Sequence, residues 1–209
     1  MADPLATVVA FLRRRRWVRR ALSALSVGLL IVAVGLLGYP FYTNLYQDRL
    51  QRKLGRQLAS ADHEHAYRSG TIGTGDALTR LKIPAIDVDV VVVEGTTASA
   101  LRAGAGHYVN TPLPCEVGNV GIAGHRTTYG RPFTHLDVLK PGDTITLETP
   151  VGQCRYEIDR PPYAVSPYDV AVVANTPDAT LTLTTCHPKG SAKQRLIIKA
   201  HLVGQPTPA

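Results

Sequence analysis

The strongest constraint on the fold of this chain is an uncharged stretch of 20 residues near the N-terminus. Residues 21–40, ALSALSVGLLIVAVGLLGYP, contain no Asp, Glu, Lys or Arg. At about 1.5 Å per residue, a helix of this length spans about 30 Å, the thickness of a bilayer's hydrocarbon core. Trp17 precedes it and Phe41 and Tyr42 follow it, where aromatic side chains favour the membrane–water interface. The pattern predicts a transmembrane helix over residues 21–41.

A cleaved secretory signal peptide is the competing interpretation, because it also joins a positive region to an apolar one. The apolar stretch is long for a signal peptide, and the following GYPFYTNLY lacks the small-x-small pattern that a signal peptidase requires. We therefore expect an uncleaved anchor. Since the basic residues precede the helix and no second apolar run follows, we expect a single-pass protein of the cell membrane. Its N-terminus is then cytoplasmic and the rest extracellular.

The formal net charge of +7 would by itself be compatible with nucleic-acid binding. Six arginines, however, lie in one short block before the apolar stretch, and removing these six charges from +7 leaves about +1 for the rest. We therefore expect a lipid bilayer as a partner and no nucleic acid. The six are Arg13, Arg14, Arg15, Arg16, Arg19 and Arg20.

Changes in composition along the chain predict five segments. They are a cytoplasmic basic tail (1–20), the anchor (21–41), an extracellular helical spacer with a Gly-rich linker (42–77), the main domain (78–204) and a disordered tail (205–209). Leucines about one helical turn apart indicate the helix in the spacer. A chain of 209 residues with 44% hydrophobic content can build one core of this size.

The main domain is rich in Val, Ile, Thr and Leu, in short runs broken by Gly and Pro, which predicts an all-β fold. TASALRAG is the one short helix that the sequence predicts there. The predicted strands are LTRLKIP, VDVVVVEG, NVGIAGH, DTITLET, CRYEID, TLTLTTC and RLIIKAHLV.

Side chains alternate between the two faces of a strand. In three of these strands, one reactive side chain therefore lies on the face opposite the aliphatic side chains. In TLTLTTC, Cys186 falls opposite Leu181 and Leu183. In NVGIAGH, His125 falls opposite the Val and Ile and beside small residues, and in RLIIKAHLV Arg195 alternates against Leu and Ile. Alternation does not make the three strands neighbours, so a buried thiol, a surface histidine and a solvated arginine remain the alternative.

Longer motifs around these residues resemble one known family. TLTTCHP (residues 182–188) resembles the sortase signature T-L-x-T-C, and an arginine follows the cysteine nine positions on in SAKQRLII. GIAGHRTTYGRPF (residues 121–133) resembles the histidine segment of the same family, and the likeness covers residues 78–204. With the single anchor and GHY at residues 106–108, the chain is most similar to class E sortases of high-GC Gram-positive bacteria.

The resemblance implies a closed eight-stranded β-barrel with one or two short helices and the activity of a cysteine transpeptidase. It implies that Cys186 is the nucleophile, His125 the general acid and base, and Arg195 the donor to the oxyanion. It further implies that Tyr108 contacts the residue after Leu in the sorting motif. Thr185, directly before the nucleophile, is expected to shape the substrate-binding site, with a packing role as the alternative.

The same resemblance implies the substrates. A motif such as Leu-Pro-x-Thr-Gly or Leu-Ala-x-Thr-Gly in a surface protein is cleaved between Thr and Gly through a thioacyl-enzyme. The product is joined to an amine of peptidoglycan or its lipid-linked precursor. No cofactor and no metal are expected.

The remaining cysteines, Cys115 and Cys154, depart from the pattern expected of the family. Three cysteines outside the cell are an odd number, so at least one is unpaired or reserved for reaction. An extracellular pair favours a disulfide between Cys115 and Cys154, and two isolated thiols are the alternative.

Two other functions remain open. One is an L,D-transpeptidase or another extracellular cysteine peptidase, although the chain lacks the S-x-G-C context of the former and papain-like enzymes place Cys before His. The other is a non-catalytic, wall-associated β-module with an inert Cys186.

Overall fold

The computed structural model describes residues 16–208 and divides into two compact units, Met1–Tyr42 and Thr43–Ala209. The first 15 residues of the predicted basic tail lie outside the described part. Helix α1 (Arg16–Leu58) contains the predicted anchor, and within the first unit its apolar side chains are exposed, with Leu36 and Leu37 at 71% and 72%. Among residues 16–208, α1 is the one helix long and apolar enough to cross a membrane.

The second unit contains nine strands, two further helices and three short 3-10 turns. The predicted helix near TASALRAG is confirmed as α3. The helices are α2 (Ala61–Arg68) and α3 (Ala98–Ala103), and the 3-10 turns are Pro84–Ile86, Leu136–Val138 and Val170–Val173. The strands are β1 (Ala77–Ile83), β2 (Val88–Glu94), β3 (Ala105–His107), β4 (Asn119–Ala123), β5 (Thr144–Thr149), β6 (Gly152–Ile158), β7 (Tyr163–Val165), β8 (Thr180–His187) and β9 (Gln194–Pro208).

Eight of these strands close into a barrel in the order β6-β5-β1-β2-β3-β4-β8-β9, because β9 also pairs with β6. The β2–β3 and β4–β8 pairs are parallel, and the other pairs are antiparallel. The ninth strand, β7, pairs with β9 alone. The predicted closed eight-stranded barrel is therefore confirmed.

The barrel is filled by the inward-facing residues of its strands. Alternation determines which side chains these are: Leu181 and Leu183 of β8 and Val120 and Ile122 of β4 are fully buried, as the sequence predicts. Phe133, from the segment after β4, joins the same core. Burial of these side chains supplies the main stabilisation, at about 1.5–3 kcal/mol for each large aliphatic or aromatic one before conformational entropy is counted.

The part of α1 that belongs to the second unit packs against the outside of β2. Leu54 is buried in a small cluster with residues of β1, β2 and α3. The Gln51 side-chain amide donates to the carbonyls of Val91 and Ala103 and accepts from the Val91 N–H. The predicted spacer helix is thus part of the barrel unit. Leucine spacing alone did not predict this packing, because polar Gln51 completes the buried face.

Two short strands and the tail differ from the sequence-based expectation. Strands β3 and β7 have three residues each, too few for alternation to reveal. The tail predicted as disordered, residues 205–209, belongs to β9 as far as Pro208, where Thr207 pairs with Gln153 and Pro208 with Gly152 of β6. This pairing is long-range, so no local pattern in GQPTPA indicates it.

Candidate active site

Cys186 and Arg195 are direct partners across the antiparallel β8–β9 pair. Directly opposed residues project from the same face of a sheet, with Cβ atoms about 4.5–5.5 Å apart. Leu183 and Ile198 fill the barrel from the other face of these strands, so Cys186 and Arg195 lie on the outside of the barrel. Cys186 is half-buried and is the one cysteine in residues 16–208 outside a disulfide.

His125 reaches the same end of the barrel through the parallel β4–β8 pair. Ala123 is the register partner of Thr184, and the main chain continues this pairing because the Gly124 N–H donates to the Thr184 carbonyl at 3.1 Å. His125 stands two residues beyond Ala123, and Cys186 two residues beyond Thr184. Three neighbouring strands therefore bring the predicted histidine, cysteine and arginine to one outer edge.

Thr185 lies on the opposite face from Cys186 and is 2% exposed. Its hydroxyl donates to the Gly124 carbonyl at 2.8 Å, which ties β8 to the segment that carries His125. Of the two roles that the sequence leaves open for Thr185, this contact supports packing. Its side chain faces the barrel interior and holds two site-bearing segments together, because alternation directs the residue before Cys186 inward.

Tyr108 covers the outer surface next to Cys186. Its hydroxyl pairs with the Thr184 hydroxyl at 2.9 Å. The ring lies over Gly121 so closely that a Cβ there would be 2.8 Å from Tyr108 Cδ2. Tyr108 is half-buried and shares the outer surface with Cys186, which keeps it available to a ligand.

The imidazole of His125 is half-buried, with the Tyr129 ring 5.4 Å away between centroids. Burial lowers the pKa of His125 below its ordinary value of 6.5, because the charged imidazolium loses hydration. The neutral imidazole is therefore the favoured form near neutral pH. A neutral ring can accept a proton from a thiol.

The Arg195 guanidinium is held by main-chain carbonyls at the start of β9. Nη1 donates to the carbonyls of Ala192 and Gln194 at 3.1 and 3.2 Å. Nη2 and Nε have no hydrogen-bond partner within the described part of the chain. Since a guanidinium has five N–H donors, those atoms can donate to a further acceptor on the outer face of β9.

A polar cluster that the sequence analysis missed anchors the segment between β7 and β8. The Val172 carbonyl accepts from Asn119 Nδ2, Thr182 Oγ1 and Lys199 Nζ. Burial lowers the pKa of Lys199, an effect that nearby Arg160 reinforces. Lys199 and Thr182 are cross-strand partners two rows from Cys186, so period-two alternation was the signal that could have found them.

Arg126 is the second residue that the sequence analysis missed. It directly follows His125, and its side chain is only 2% exposed. Nη1 donates to His187 Nδ1 at 2.8 Å and contacts the Cys186 carbonyl at 3.4 Å, and Nη2 lies 3.1 Å from Asp137 Oδ2. No periodicity flags it, because it lies just beyond the end of β4.

Cys115 and Cys154 form a disulfide, with Cα atoms 5.6 Å apart. The bond ties the loop before β4 to β6, and the Cys115 N–H also donates to the Tyr156 hydroxyl at 3.2 Å. It leaves Cys186 as the free thiol. Across residues 16–208, no group of three or more His, Cys, Asp or Glu side chains is arranged to hold a metal ion.

Comparison with known proteins agrees with this geometry. The Sortase domain family model matches residues 81–203. The chain is 30% identical over 225 residues to sortase SrtE1 of Streptomyces coelicolor, covering 96% of this chain and 63% of that protein. It is 34% identical over 128 residues to sortase D of Bacillus subtilis, again covering 63% of that protein. The chain thus spans about three fifths of the length of these two relatives.

Solved structures show the same barrel. The Clostridium perfringens sortase D5 transpeptidase matches with a TM-score of 0.66 and 32% identity, covering 76% of this chain and 98% of that one. Sortase E from Streptomyces avermitilis matches with a TM-score of 0.59 and 37% identity, covering 64% of this chain and 93% of that one.

A closed β-barrel with a free cysteine paired to an arginine, beside a strand leading to a histidine, defines a candidate thiol-dependent enzyme. The chain belongs to the sortase family, whose members are cysteine transpeptidases.

Proposed function

We propose that the chain is a membrane-anchored cysteine transpeptidase with Cys186 as its nucleophile. The observation that carries this proposal is the direct pairing of Cys186 with Arg195, beside the strand that leads to His125. Family membership supports it, as does the likeness to a sortase E1 from Streptomyces coelicolor solved with a tripeptide in its active site.

In the first half-reaction, Cys186 Sγ attacks the carbonyl carbon of Thr in the sorting motif while the neutral His125 accepts the thiol proton. A C–S bond forms and the carbonyl oxygen becomes an oxyanion. Collapse of this intermediate breaks the Thr–Gly C–N bond, and the His125 imidazolium protonates the departing amine. The acyl group remains on Cys186 as a thioester.

In the second half-reaction, an acceptor amine attacks the thioester carbonyl. His125 takes a proton from the incoming amine, the new C–N bond forms and the C–S bond breaks. The His125 imidazolium then gives this proton to the departing sulfur, which regenerates the thiol of Cys186 and the neutral imidazole. The thioester conserves the energy of the cleaved peptide bond for the new amide, which is why a joining enzyme benefits from a covalent intermediate.

Arg195 stabilises the oxyanion in both half-reactions. It projects from the same face as Cys186, is charged at all physiological pH values, and retains donors beyond the Nη1 atom that holds the Ala192 and Gln194 carbonyls. Loss of one such donor typically costs about 3–4 kcal/mol of transition-state stabilisation.

The substrate of this proposal is a surface protein with a Leu-(Ala or Pro)-x-Thr-Gly motif, in keeping with the class E resemblance. Tyr108 contacts the residue after Leu, because its ring lies on the outer surface beside Thr184, along β8 from Cys186. The acceptor is an amine of peptidoglycan or its lipid-linked precursor. Residues 21–41 anchor the chain, with the basic block in the cytoplasm and the barrel outside.

A peptide assay tests the proposal on the full chain in detergent micelles. Fluorogenic peptides that differ only by Ala or Pro after Leu are incubated with and without a glycine-based amine. We expect cleavage between Thr and Gly, amine-dependent joining, and loss of both in Cys186→Ala. Cleavage by Cys186→Ala at the wild-type rate would refute the assignment.

Thiol labelling separates this function from a non-catalytic β-module. A methanethiosulfonate reagent should modify Cys186 rapidly in the native protein, because this residue is half-buried on the outer face of β8. An inert scaffold would leave Cys186 unmodified until the chain is unfolded. Cys186→Ala is the matched control, since the other two cysteines are joined in a disulfide.

A further inference from the structure

The Arg126 guanidinium connects the two segments that carry the candidate histidine and cysteine. Its backbone is continuous with His125, and its Nη1 reaches His187 Nδ1 and the Cys186 carbonyl. Further contacts fix the segment itself: the Phe133 N–H donates to the His125 carbonyl at 3.2 Å, and the Thr134 hydroxyl donates to the Arg126 carbonyl at 2.9 Å. The Arg126 side chain thus links the segment that carries His125 to Cys186 and His187 on β8.

Stability alone does not account for this arginine. A buried charge is costly to desolvate unless it is fully paired, and replacing buried ion pairs by apolar groups is often neutral or stabilising. Arg126 is paired with Asp137, whose carboxyl is 37% exposed, but its Nε is buried without a hydrogen-bond partner in the described residues. An unsatisfied buried donor in a native structure requires an explanation, and a functional role is one.

The contact with His187 adds a directed hydrogen bond. A guanidinium can only donate, so His187 Nδ1 is the acceptor in this contact. Three cations lie in this corner: Arg126, Lys189, which shares Asp137 with it, and Arg195, which is the cross-strand partner of Cys186.

We infer that Arg126, held by Asp137, is a positioning residue that sets the distance and orientation between Cys186 and His125. The ladder between β4 and β8 ends at Ala123 and Thr184, before both reacting groups, while β8 stays paired with β9. Beyond that end, the Thr185 hydroxyl binds the Gly124 carbonyl, and the buried Arg126 fork binds the cysteine main chain from the histidine segment. Displacement of a reacting group by about 1 Å can cost about 100-fold in rate.

The inference rests on the proposed function, and its test includes a measurement that does not. The full-length protein in detergent micelles is prepared as wild type, Arg126→Gln, Arg126→Lys and Asp137→Asn. Arg155→Gln, which alters an exposed arginine on β6, is the matched control. The first measurement is the rate of Cys186 alkylation by iodoacetamide against pH, and the second is kcat and KM for the sorting-motif peptide.

We expect Arg126→Gln to lower kcat by about 10- to 100-fold with KM changed by less than about three-fold, since geometry rather than binding is altered. The midpoint of its alkylation profile should rise by about one pH unit, because a nearby positive charge is lost. Arg126→Lys should restore the midpoint and leave kcat low, because it keeps the charge and loses the fork. Asp137→Asn should lower kcat less, and Arg155→Gln should match wild type.

Two results would overturn the inference. One is an Arg126→Gln protein that lowers only the melting temperature, with wild-type kcat and alkylation profile in the folded fraction. If that variant does not fold, wild-type kcat in both Arg126→Lys and Asp137→Asn would overturn it equally. Failure of the proposed function appears differently, as absence of peptide cleavage by the wild type itself.

Discussion

Strands β2 and β8 both form part of the barrel wall, yet their outward faces are opposite in character. In β2, Val90 and Val92 fill the barrel while Val91 and Val93 pack outside against α1 and α3. In β8, leucines fill the barrel while Thr182, Thr184 and Cys186 face outward. The first face is covered by an apolar helix surface, and the second by hydrogen-bonded loops that stop short of Cys186.

The difference shows how one barrel separates stability from chemistry. A strand that is apolar on both of its faces must be covered on both faces, so the outer face of β2 is used for packing. A strand that alternates Thr with Leu can leave one face polar, and hydroxyl groups there bind loops through directed hydrogen bonds. The cover over β8 is the Tyr108 hydroxyl on Thr184 and the Val172 carbonyl on Thr182. Cys186, the free thiol, lies just beyond these two contacts along β8.

Arg195→Gln is the change with the largest expected effect, and it acts only on the β8–β9 face. Removing the guanidinium should lower kcat/KM by about 100- to 1,000-fold, because the oxyanion loses its charged donor. The melting temperature should stay close to that of wild type, since Arg195 is half-buried at a strand end. Peptide cleavage and thermal unfolding of the full chain check this, with Arg155→Gln as control. A loss of activity no greater than that of Arg155→Gln would contradict the role.

Leu54→Ala tests the opposite face. Its side chain is 6% exposed in the cluster with Val91 and Val93, so truncation should lower the free energy of unfolding by about 2–5 kcal/mol. The kcat of the folded fraction should not change. Urea titration of the detergent-solubilised chain, followed by tyrosine circular dichroism, gives the free energy. Leu45→Ala is the control, because Leu45 is 50% exposed on the same helix.

Gln51→Leu removes the polar part of the same packing surface while keeping side-chain volume. The main-chain N–H and carbonyl of Val91 and the Ala103 carbonyl would lose their partner. Unsatisfied buried groups of this kind typically cost about 1–3 kcal/mol, so a smaller loss than for Leu54→Ala is expected in the same titration. Gln153→Leu, at an exposed position on β6, should change stability by less than about 0.5 kcal/mol. Equal effects of the two glutamine changes would show that the amide contacts are unimportant.

The same contrast explains how much the sequence could predict. Alternation in TLTLTTC and NVGIAGH identified the buried and outward faces of β8 and β4, because a period of two is a local property. The valine run of β2 predicted a strand but not its covering helix, because Gln51 reads as polar in any hydropathy pattern. Pairing of β9 with β6 as far as Pro208 depends on closure of the barrel, which no short segment encodes.

The residues of the candidate site also divide into those that local sequence patterns mark and those that they do not. Cys186, His125 and Arg195 were predicted because family motifs and alternation both mark them. For Thr185 the sequence left a role in shaping the site and a role in packing both open, and in the fold its hydroxyl binds the Gly124 carbonyl. Arg126 was missed because its role depends on partners about 60 residues away, which only the folded chain brings near. Alternation marks Lys199 as outward-facing, but its Val172 partner, 27 residues away, is known only from the fold.

The smallest expected effect concerns the pH dependence of the β8 face. Burial lowers the pKa of His125 below 6.5, and in the proposed mechanism the neutral ring accepts the Cys186 proton. As pH rises, kcat/KM should therefore increase through a midpoint below 6.5 and be nearly constant above it until the basic limb begins. Because the unfolded chain binds this proton more readily, stability should also fall as pH drops below 6.5, so activity is normalised to the folded fraction at each pH.

The control is His201→Asn, which alters a half-exposed histidine paired with Asp159 and should leave the midpoint unchanged. An acid midpoint above 6.5 in both proteins would mean that the imidazolium is the form required at the start, and that the neutral-pair mechanism is wrong.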